Sequence, residues 1–184
     1  MLVISTDLLK EIYTQNTLIE NQKEFFKNHK LYNLKGFMKI SFADLWGTDY
    51  LIEALDVLQI KTPTTIQAKA IPILLNQKED VVALAKTGTG KTASFGLPLL
   101  QSINTQNNFI QAIVLAPTRE LGQQIYTNLT DFSSKKKQIS IAPVFGGIPI
   151  KPQIERLKKD TQVIVATPGR LIDLIKRESI DVTK

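Results

Sequence analysis

The 184-residue sequence contains no cysteine and a single histidine, His29. The lack of cysteine excludes disulfide bonds, thiolate zinc sites and cysteine nucleophiles, and one histidine excludes a cluster of histidine metal ligands. No apolar run is long enough to cross a bilayer. The Met-Leu-Val-Ile start is too short, and lacks the basic flank, for a signal peptide. These absences predict a soluble cytoplasmic protein without a membrane partner.

The composition is that of an ordinary globular protein, with 43% hydrophobic and 22% charged residues. Its length suits one domain, or part of a larger one, with a sizeable core. The formal net charge of +6 favours an acidic partner such as nucleic acid. Many basic proteins bind no nucleic acid, so the charge alone does not identify that partner.

Residues 1–37 differ from the rest of the chain. They are rich in Asn, Gln and Lys, carry apolar residues in helix-like clusters, and end at a helix-stop signal, Lys35-Gly36. They are either a docking helix or a loosely held appendage, and we favour the appendage. The main domain is predicted to span residues 38–184.

From residue 62 onwards, strand and helix patterns alternate. A helix is predicted to start at Thr62-Pro63, with the hydroxyl as its cap and the proline in its first turn. The strands are predicted at 80–85, 110–116, 139–145 and 162–166, and the later helices at 90–101, 118–132, 151–159 and 169–178. Continuous Val/Ile/Leu strands that alternate with helices indicate an α/β fold with a parallel sheet covered by helices on both faces.

The segment AKTGTGKT, residues 85–92 and here called the P-loop, follows the first of these buried strands. Gly88 and Gly90 allow successive backbone N–H groups to turn towards an anion, and the following helix adds the positive end of its dipole. Lys91 can reach the outer phosphates of a nucleotide, and the Thr92 hydroxyl can bind Mg²⁺. The segment therefore predicts a nucleotide-phosphate site.

Two other interpretations of this segment fail. Residues 88–93 also fit the dinucleotide fingerprint GxGxxG/A, which needs an acidic residue near the end of the next strand. No Asp or Glu occurs between Asp80 and Glu120. A simple glycine turn would leave the adjacent lysine and threonine unexplained. Ala85 occupies the place where the general P-loop pattern has glycine.

Five motifs in order resemble those of the N-terminal RecA-like domain of DEAD-box ATP-dependent RNA helicases, in superfamily 2. They are KTPTTIQ (61–67, with Phe42 as the isolated upstream aromatic), AKTGTGKT (85–92), APTRELGQQI (116–125), Gly146-Gly147 and VATPGRLIDL (165–174). Alanine at position 85 is usual in that family. The resemblance covers residues 38–184 and implies a RecA-like P-loop domain that binds ATP and Mg²⁺.

The resemblance assigns residues to two sites. The nucleotide site comprises Phe42, Thr62, Gln67, Ala85, Lys86, Thr87, Gly88, Thr89, Gly90, Lys91 and Thr92, with Lys91 and Thr92 catalytic and Thr92 the metal ligand. Gln67 would read the adenine edge and Phe42 would stack on the base, although an isolated phenylalanine is more often a core residue. Gln59-Ile60, where the family has glycine and an aromatic, departs from the pattern and loosens the expected adenine pocket.

The RNA-binding residues implied by the resemblance are Pro117, Thr118, Arg119, Gly146, Gly147, Thr167, Pro168, Gly169 and Arg170. Short hydroxyls, glycine amides and helix N-termini suit contact with the RNA backbone without reading its sequence. Thr118 and Thr167 can equally be helix caps. Helicase accessory proteins or a ribonucleoprotein are the further partners that the resemblance implies.

Two motifs of the family, Asp-Glu-Ala-Asp and Ser-Ala-Thr, do not occur in the 184 residues. The sheet is therefore expected to be incomplete at its C-terminal end. These residues alone are expected neither to hydrolyse ATP nor to fold stably, because the metal lacks an acidic partner and strand edges lack neighbours. Three hypotheses stay open: the N-terminal part of a DEAD-box RNA helicase, a non-catalytic nucleotide- or RNA-binding fragment, and another superfamily 2 P-loop ATPase that acts on DNA.

Overall fold

A computed structural model describes residues 3–4, 41–45, 48–76 and 81–182. Apart from Val3–Ile4, the predicted appendage at 1–37 lies outside the described residues. Within the described part of the chain, no helix combines the length and the hydropathy that crossing a membrane requires.

The described elements alternate between strands and helices. In chain order they are β1 (Val3–Ile4), α1 (Phe42–Leu45), α2 (Asp49–Val57), α3 (Thr65–Asn76), β2 (Val81–Val82), α4 (Lys91–Ser102), β3 (Ala112–Leu115), α5 (Arg119–Phe132), β4 (Ile141–Val144), α6 (Ile150–Leu157), β5 (Val163–Ala166) and α7 (Pro168–Lys176). The predicted order of strands and helices from residue 80 onwards is confirmed. The sequence analysis assigned no element to residues 42–57, so it missed α1 and α2.

Three strands form a parallel sheet in the order β3-β5-β4, with Ala112 and Ile141 both in register with Val163. The strand before the P-loop is much shorter than the predicted 80–85. Its described part, Val81–Val82, pairs antiparallel with β1 and with none of the parallel strands. Among the described residues, β3 is therefore an edge strand of the three-stranded sheet.

The central strand β5 separates two apolar clusters. Its side chains are fully buried and alternate in direction, so Val163 and Val165 join one cluster and Ile164 joins the other. The first cluster contains the apolar faces of α4 and α5, and the second contains Leu171 and Leu174 of α7. Helices thus cover both faces of the sheet, which confirms the predicted architecture.

The helix predicted to begin at Pro63, with Thr62 as its cap, begins instead at Thr65, so that prediction was wrong by two residues. Thr64 is the residue before the helix, and its backbone N–H donates to Gln67 Oε1 at 2.8 Å. This is half of a capping box, in which a Thr-x-x-Gln spacing lets the third helical residue reach back to the cap. Because Gln67 caps from that spacing, the helix starts after Thr64 rather than at the proline.

Helix α2 ends in a Schellman motif at the position where the sequence departs from the family pattern. Gln59 has a left-handed backbone with φ 57°, and the N–H of Ile60 donates to the carbonyl of Leu55 at 2.9 Å. A left-handed residue favours glycine because it has no Cβ. Gln59 therefore makes this turn with a residue that strains it.

Candidate nucleotide and nucleic acid sites

The P-loop curls at the start of α4 through two glycines. Gly88 and Gly90 have φ of 78° and 84°, values that only glycine adopts without strain. Gly90 is the N-cap of α4, so Lys91 and Thr92 are the first two helical residues. Their free backbone N–H groups and the helix dipole together favour an anion at this point.

The ammonium group of Lys91 lies inside the curl of the P-loop. Its Nζ donates to the carbonyl of Ala85 at 2.8 Å and to the carbonyl of Lys86 at 2.6 Å. Thr89 Oγ1 donates to the same Lys86 carbonyl at 2.7 Å, which closes the loop on itself. The loop therefore holds a positive charge at the mouth of α4, where phosphate oxygens can compete with the two carbonyls.

The N-terminal end of α3 is bonded to the P-loop by two side chains. Thr64 Oγ1 donates to the carbonyl of Thr89 at 2.8 Å, and Gln67 Nε2 donates to the carbonyl of Gly90 at 3.1 Å. Gln67 is only 3% exposed, and its Oε1 already accepts from Thr64 N. Gln67 thus joins the N-terminal end of α3 to the P-loop, a contact that the motif alone did not predict.

Thr62 and Phe42, two further residues predicted for the nucleotide site, differ in how far they are buried. Thr62 is exposed beside the start of α3. Phe42 is 4% exposed and belongs to the larger apolar cluster, so the structure places it as the core residue that the sequence analysis named as the alternative. Its stacking on adenine stays a prediction.

Thr92, the second residue of α4, carries the hydroxyl that the sequence analysis assigned to a metal ion. No group of three or more His, Cys, Asp or Glu residues that could hold a metal occurs among the residues that were described. Mg²⁺ commonly binds with few protein ligands and completes its shell with phosphate oxygens and water. A hard oxygen at the end of the P-loop fits that chemistry as one ligand of such a shell.

A second group of predicted residues lies at the carboxyl ends of β3, β4 and β5. Because the three strands are parallel, the residues that follow them meet at one edge of the sheet, here called the carboxyl edge. The edge comprises Pro117, Thr118, Arg119, Gly146, Gly147, Thr167, Pro168, Gly169 and Arg170. The structure therefore brings together all the residues that the resemblance assigned to RNA.

Hydrogen bonds connect the segments of this edge. Gly146 N donates to Thr167 Oγ1 at 3.2 Å, and both terminal nitrogens of Arg170 donate to the carbonyl of Ile148 at 3.1 and 3.0 Å. A Cβ built on Gly147 would lie 3.6 Å from Arg119 Nη1. The glycine pair is thus close to both neighbouring segments.

The two threonines of this edge differ as helix caps. Thr118 caps α5, because its Oγ1 accepts from Leu121 N at 3.3 Å. Thr167 precedes α7 but makes no side-chain cap bond; its hydroxyl accepts from Gly146 instead. The capping alternative is therefore confirmed for Thr118 only.

Sequence reasoning missed two residues behind this edge. Gln153 on α6 is buried and donates to the carbonyls of Phe145 and Pro149. Gly122 on α5 lies directly against the ring of Phe145. Neither contact has a local sequence signal. Gly122 and Phe145 lie on different elements that are far apart in sequence, and Gln153 is one of several polar positions on α6.

Comparisons with known proteins identify the family of this chain. A family model described as DEAD/DEAH box helicase matches residues 64–184. The ATP-dependent RNA helicase DeaD of Escherichia coli (strain K12) is 43% identical over 144 residues, which cover 78% of this chain and 23% of that protein. The DEAD-box ATP-dependent RNA helicase CshA of Bacillus subtilis (strain 168) is 45% identical over 143 residues, covering 78% of this chain and 28% of that protein.

Solved structures show the same similarity. A DEAD box protein from Methanococcus jannaschii matches with a TM-score of 0.72 and 40% identity, covering 79% of this chain and 39% of that one. S. cerevisiae Dbp5 bound to RNA and ADP BeF3 matches with a TM-score of 0.68 and 31% identity, covering 77% of this chain and 35% of that one. The chain thus spans about a quarter of the length of the curated relatives it matches.

Proposed function

Because the chain belongs to the DEAD/DEAH box helicase family, we propose that it forms the part of an ATP-dependent RNA helicase that binds ATP and the RNA backbone. In the whole protein, ATP hydrolysis would be coupled to RNA binding and to local opening of a duplex. The observation that carries the proposal is the closed P-loop around Lys91, joined to Gln67 on the adenine side.

ATP would bind with its phosphates at the start of α4. Lys91 would exchange two carbonyl oxygens for phosphate oxygens, a stronger charge-assisted pairing. The P-loop amides and the helix dipole would stabilise the remaining phosphate charge. Thr92 would bind Mg²⁺, whose role when bound is to neutralise charge on the outer phosphates. Gln67 would direct one N–H and one oxygen lone pair towards the base.

RNA would bind along the carboxyl edge through its sugar-phosphate backbone. Arg119 is exposed at the first position of α5, next to Gly147. Thr118, the glycine pair and the N-terminus of α7 offer hydroxyl and amide donors rather than groups that distinguish bases. Arg170 is half-buried and donates to Ile148, so it supports the edge as well as adding positive charge.

Equilibrium binding tests both halves of the proposal separately. With sucrose present to favour the compact state of a chain expected to be weakly stable, we expect the purified chain to bind a non-hydrolysable ATP analogue more tightly than the GTP analogue. It should likewise bind an RNA oligonucleotide more tightly than DNA of the same sequence. Lys91→Ala should abolish nucleotide binding and keep RNA binding without nucleotide. Arg119→Ala should weaken RNA binding, by about tenfold for one charge-assisted contact, and keep nucleotide binding.

The same measurements separate the alternatives. An RNA affinity that does not change with nucleotide would favour a non-catalytic binding fragment over a working helicase segment. A preference for DNA or for guanine nucleotides would favour another P-loop ATPase. Unchanged ATP affinity in Lys91→Ala would contradict the assignment of the P-loop itself.

A further inference from the structure

The loop that carries the glycine pair, residues 145–149 and here called the Gly-Gly loop, is held by one buried amide. Gln153 is 6% exposed, and its Nε2 donates to the carbonyl of Phe145 at 3.2 Å and to the carbonyl of Pro149 at 3.1 Å. These carbonyls are the two ends of the loop. A single planar amide therefore fixes the distance between them.

The ring of Phe145 fixes the same loop against α5. A Cβ built on Gly122 would lie 2.5 Å from Phe145 Cε1 and 2.9 Å from Cζ, so the ring rests on bare backbone. Gly122 lies about one helical turn after Arg119. The contact therefore sets how far the Gly-Gly loop stands from the arginine at the start of the same helix.

Gln153 also has a buried oxygen whose burial is energetically unfavourable. Its Oε1 is buried and accepts no hydrogen bond from the described residues. An unpaired buried acceptor costs free energy, and an apolar residue of similar size would avoid that cost. What an apolar residue could not supply is the N–H group that holds the two carbonyls.

Resting on the proposed function, we propose that Gln153 is a positioning residue for RNA-backbone binding. Its amide holds the Gly-Gly loop in the geometry in which the loop and Arg119 contact one stretch of backbone together. Gly122, which has no Cβ, leaves room for the ring of Phe145 to pack against α5. Both residues are buried, so neither is placed to touch RNA itself.

A matched pair of variants tests this role against a merely structural one. Gln162 is also a buried glutamine with two bonds to backbone: its Oε1 accepts from Ser140 N at 2.8 Å, and its Nε2 donates to Asn107 O at 3.2 Å. It precedes β5, at the opposite edge of the sheet from the carboxyl edge. Gln153→Leu and Gln162→Leu thus remove similar bonds from similar surroundings.

The binding of a fluorescein-labelled oligouridylate is measured at one fixed salt concentration, because phosphate contacts make affinity depend on salt. We expect Gln153→Leu to weaken RNA binding by about five- to tenfold, the equivalent of one or two lost contacts. Gln162→Leu should stay within about twofold of wild type, a change too small for a lost contact. ATP-analogue affinity should be unchanged in both variants.

Equal RNA affinity in the two variants, with wild-type RNA binding intact, would overturn the positioning role. A wild-type chain that binds no RNA would overturn the proposed function instead, and this inference with it. If either leucine variant fails to fold, Gln153→Asn and Gln162→Asn replace them, since a side chain one methylene shorter cannot span both partners.

A size exchange provides an independent test of the ring contact. Gly122→Ala should weaken RNA binding, and Gly122→Ala with Phe145→Leu should restore much of it by removing the overlap. Gly96→Ala is the control, because its Cβ would lie 2.5 Å from Leu129 Cδ2 in the contact between α4 and α5. RNA binding that falls equally in Gly96→Ala, or that the second substitution does not recover, would contradict the ring's role.

Discussion

One methyl group at Gly90 is expected to disrupt the contact between the P-loop and the N-terminal end of α3. Gly90 has φ of 84°, and a Cβ there would overlap Gln67 Nε2 and lie 3.1 Å from Gln67 Cδ. An alanine would take a left-handed backbone, at ~1–2 kcal/mol. It would also displace the amide that donates to the Gly90 carbonyl, at about 1 kcal/mol. We expect Gly90→Ala to lower the free energy of unfolding by about 2–3 kcal/mol.

Gly88→Ala is the matched control for this prediction. Gly88 has φ of 78°, but a Cβ there meets no described atom within 4 Å. Only the backbone strain applies, so the expected loss is ~1–2 kcal/mol. Urea unfolding followed by circular dichroism measures both losses, with sucrose present to favour the compact state of a chain expected to be weakly stable.

The contact with Gln67 can be isolated with a double-mutant cycle. In a Gln67→Ala background the overlap is gone, so Gly90→Ala should cost no more than Gly88→Ala. ATP-analogue affinity should also fall further in Gly90→Ala than in Gly88→Ala, because the Gln67 amide is displaced only in the former. Equal losses for the two glycines in the wild-type background would show that the overlap with Gln67 does not contribute.

Three further predictions concern base selectivity, a strained turn and a buried tyrosine. Gln67→Ala should reduce the preference for ATP over other triphosphates, and unchanged selectivity in competition binding would count against an adenine pocket beside α3. Gln59→Gly should raise the free energy of unfolding by about 1 kcal/mol by relieving a left-handed glutamine, whereas Gln59→Ala should give no gain in the same urea titration. Tyr50 OH donates to the carbonyl of Leu100 at 3.0 Å, and burial raises the pKa of Tyr50 from 10.0 to about 12. Because the pKa is raised on folding, the contribution of neutral Tyr50 to the free energy of unfolding is complete below pH 10 and is lost as the pH rises towards 12. The difference in free energy of unfolding between wild type and Tyr50→Phe should therefore narrow from pH 10 to 12 and stay constant below pH 10.

The elements that the sequence predicted well are those whose signal is local. The strands β3, β4 and β5 are continuous apolar runs, and each was predicted to within about two residues of its observed bounds. Helix α5 begins where Thr118 provides a cap. The short β2 and its pairing with β1 could not be predicted, because strand pairing depends on segments that are far apart in sequence.

The two missed helices carry weaker signals of the same local kind. Helix α1 is a single turn, too short for periodicity, yet Ser41 N donates to Asp44 Oδ2 and Asp44 N donates to Ser41 Oγ in a complete capping box. Bonds from the Ser41 hydroxyl and backbone lower the pKa of Asp44. Helix α2 buries Leu51, Ala54 and Leu55, a helical spacing visible in the sequence.

For the sites, the motifs predicted which residues meet but not how each is bonded. All of the residues assigned to RNA lie at one edge, since parallel strands deliver them there. The supporting contacts of Gln153 and Gly122 depend on where α6 and α5 pack, which no short motif encodes. Phe42 could not be assigned from the sequence, since an aromatic residue of a binding motif and an aromatic residue of the core look alike in sequence.

Under the proposed function, Gln67 links recognition of the base to the shape of the P-loop. Its amide has two N–H donors and an oxygen with two acceptor positions, and the protein already uses one donor at Gly90 and one acceptor position at Thr64. The group is planar and buried, so the remaining donor and acceptor position have a direction fixed by those two bonds. A base that matches that direction leaves the Gly90 bond intact, whereas one that mismatches must turn the amide and strain the loop around Lys91. Base selectivity and phosphate affinity should therefore change together when either Gln67 or Gly90 is altered.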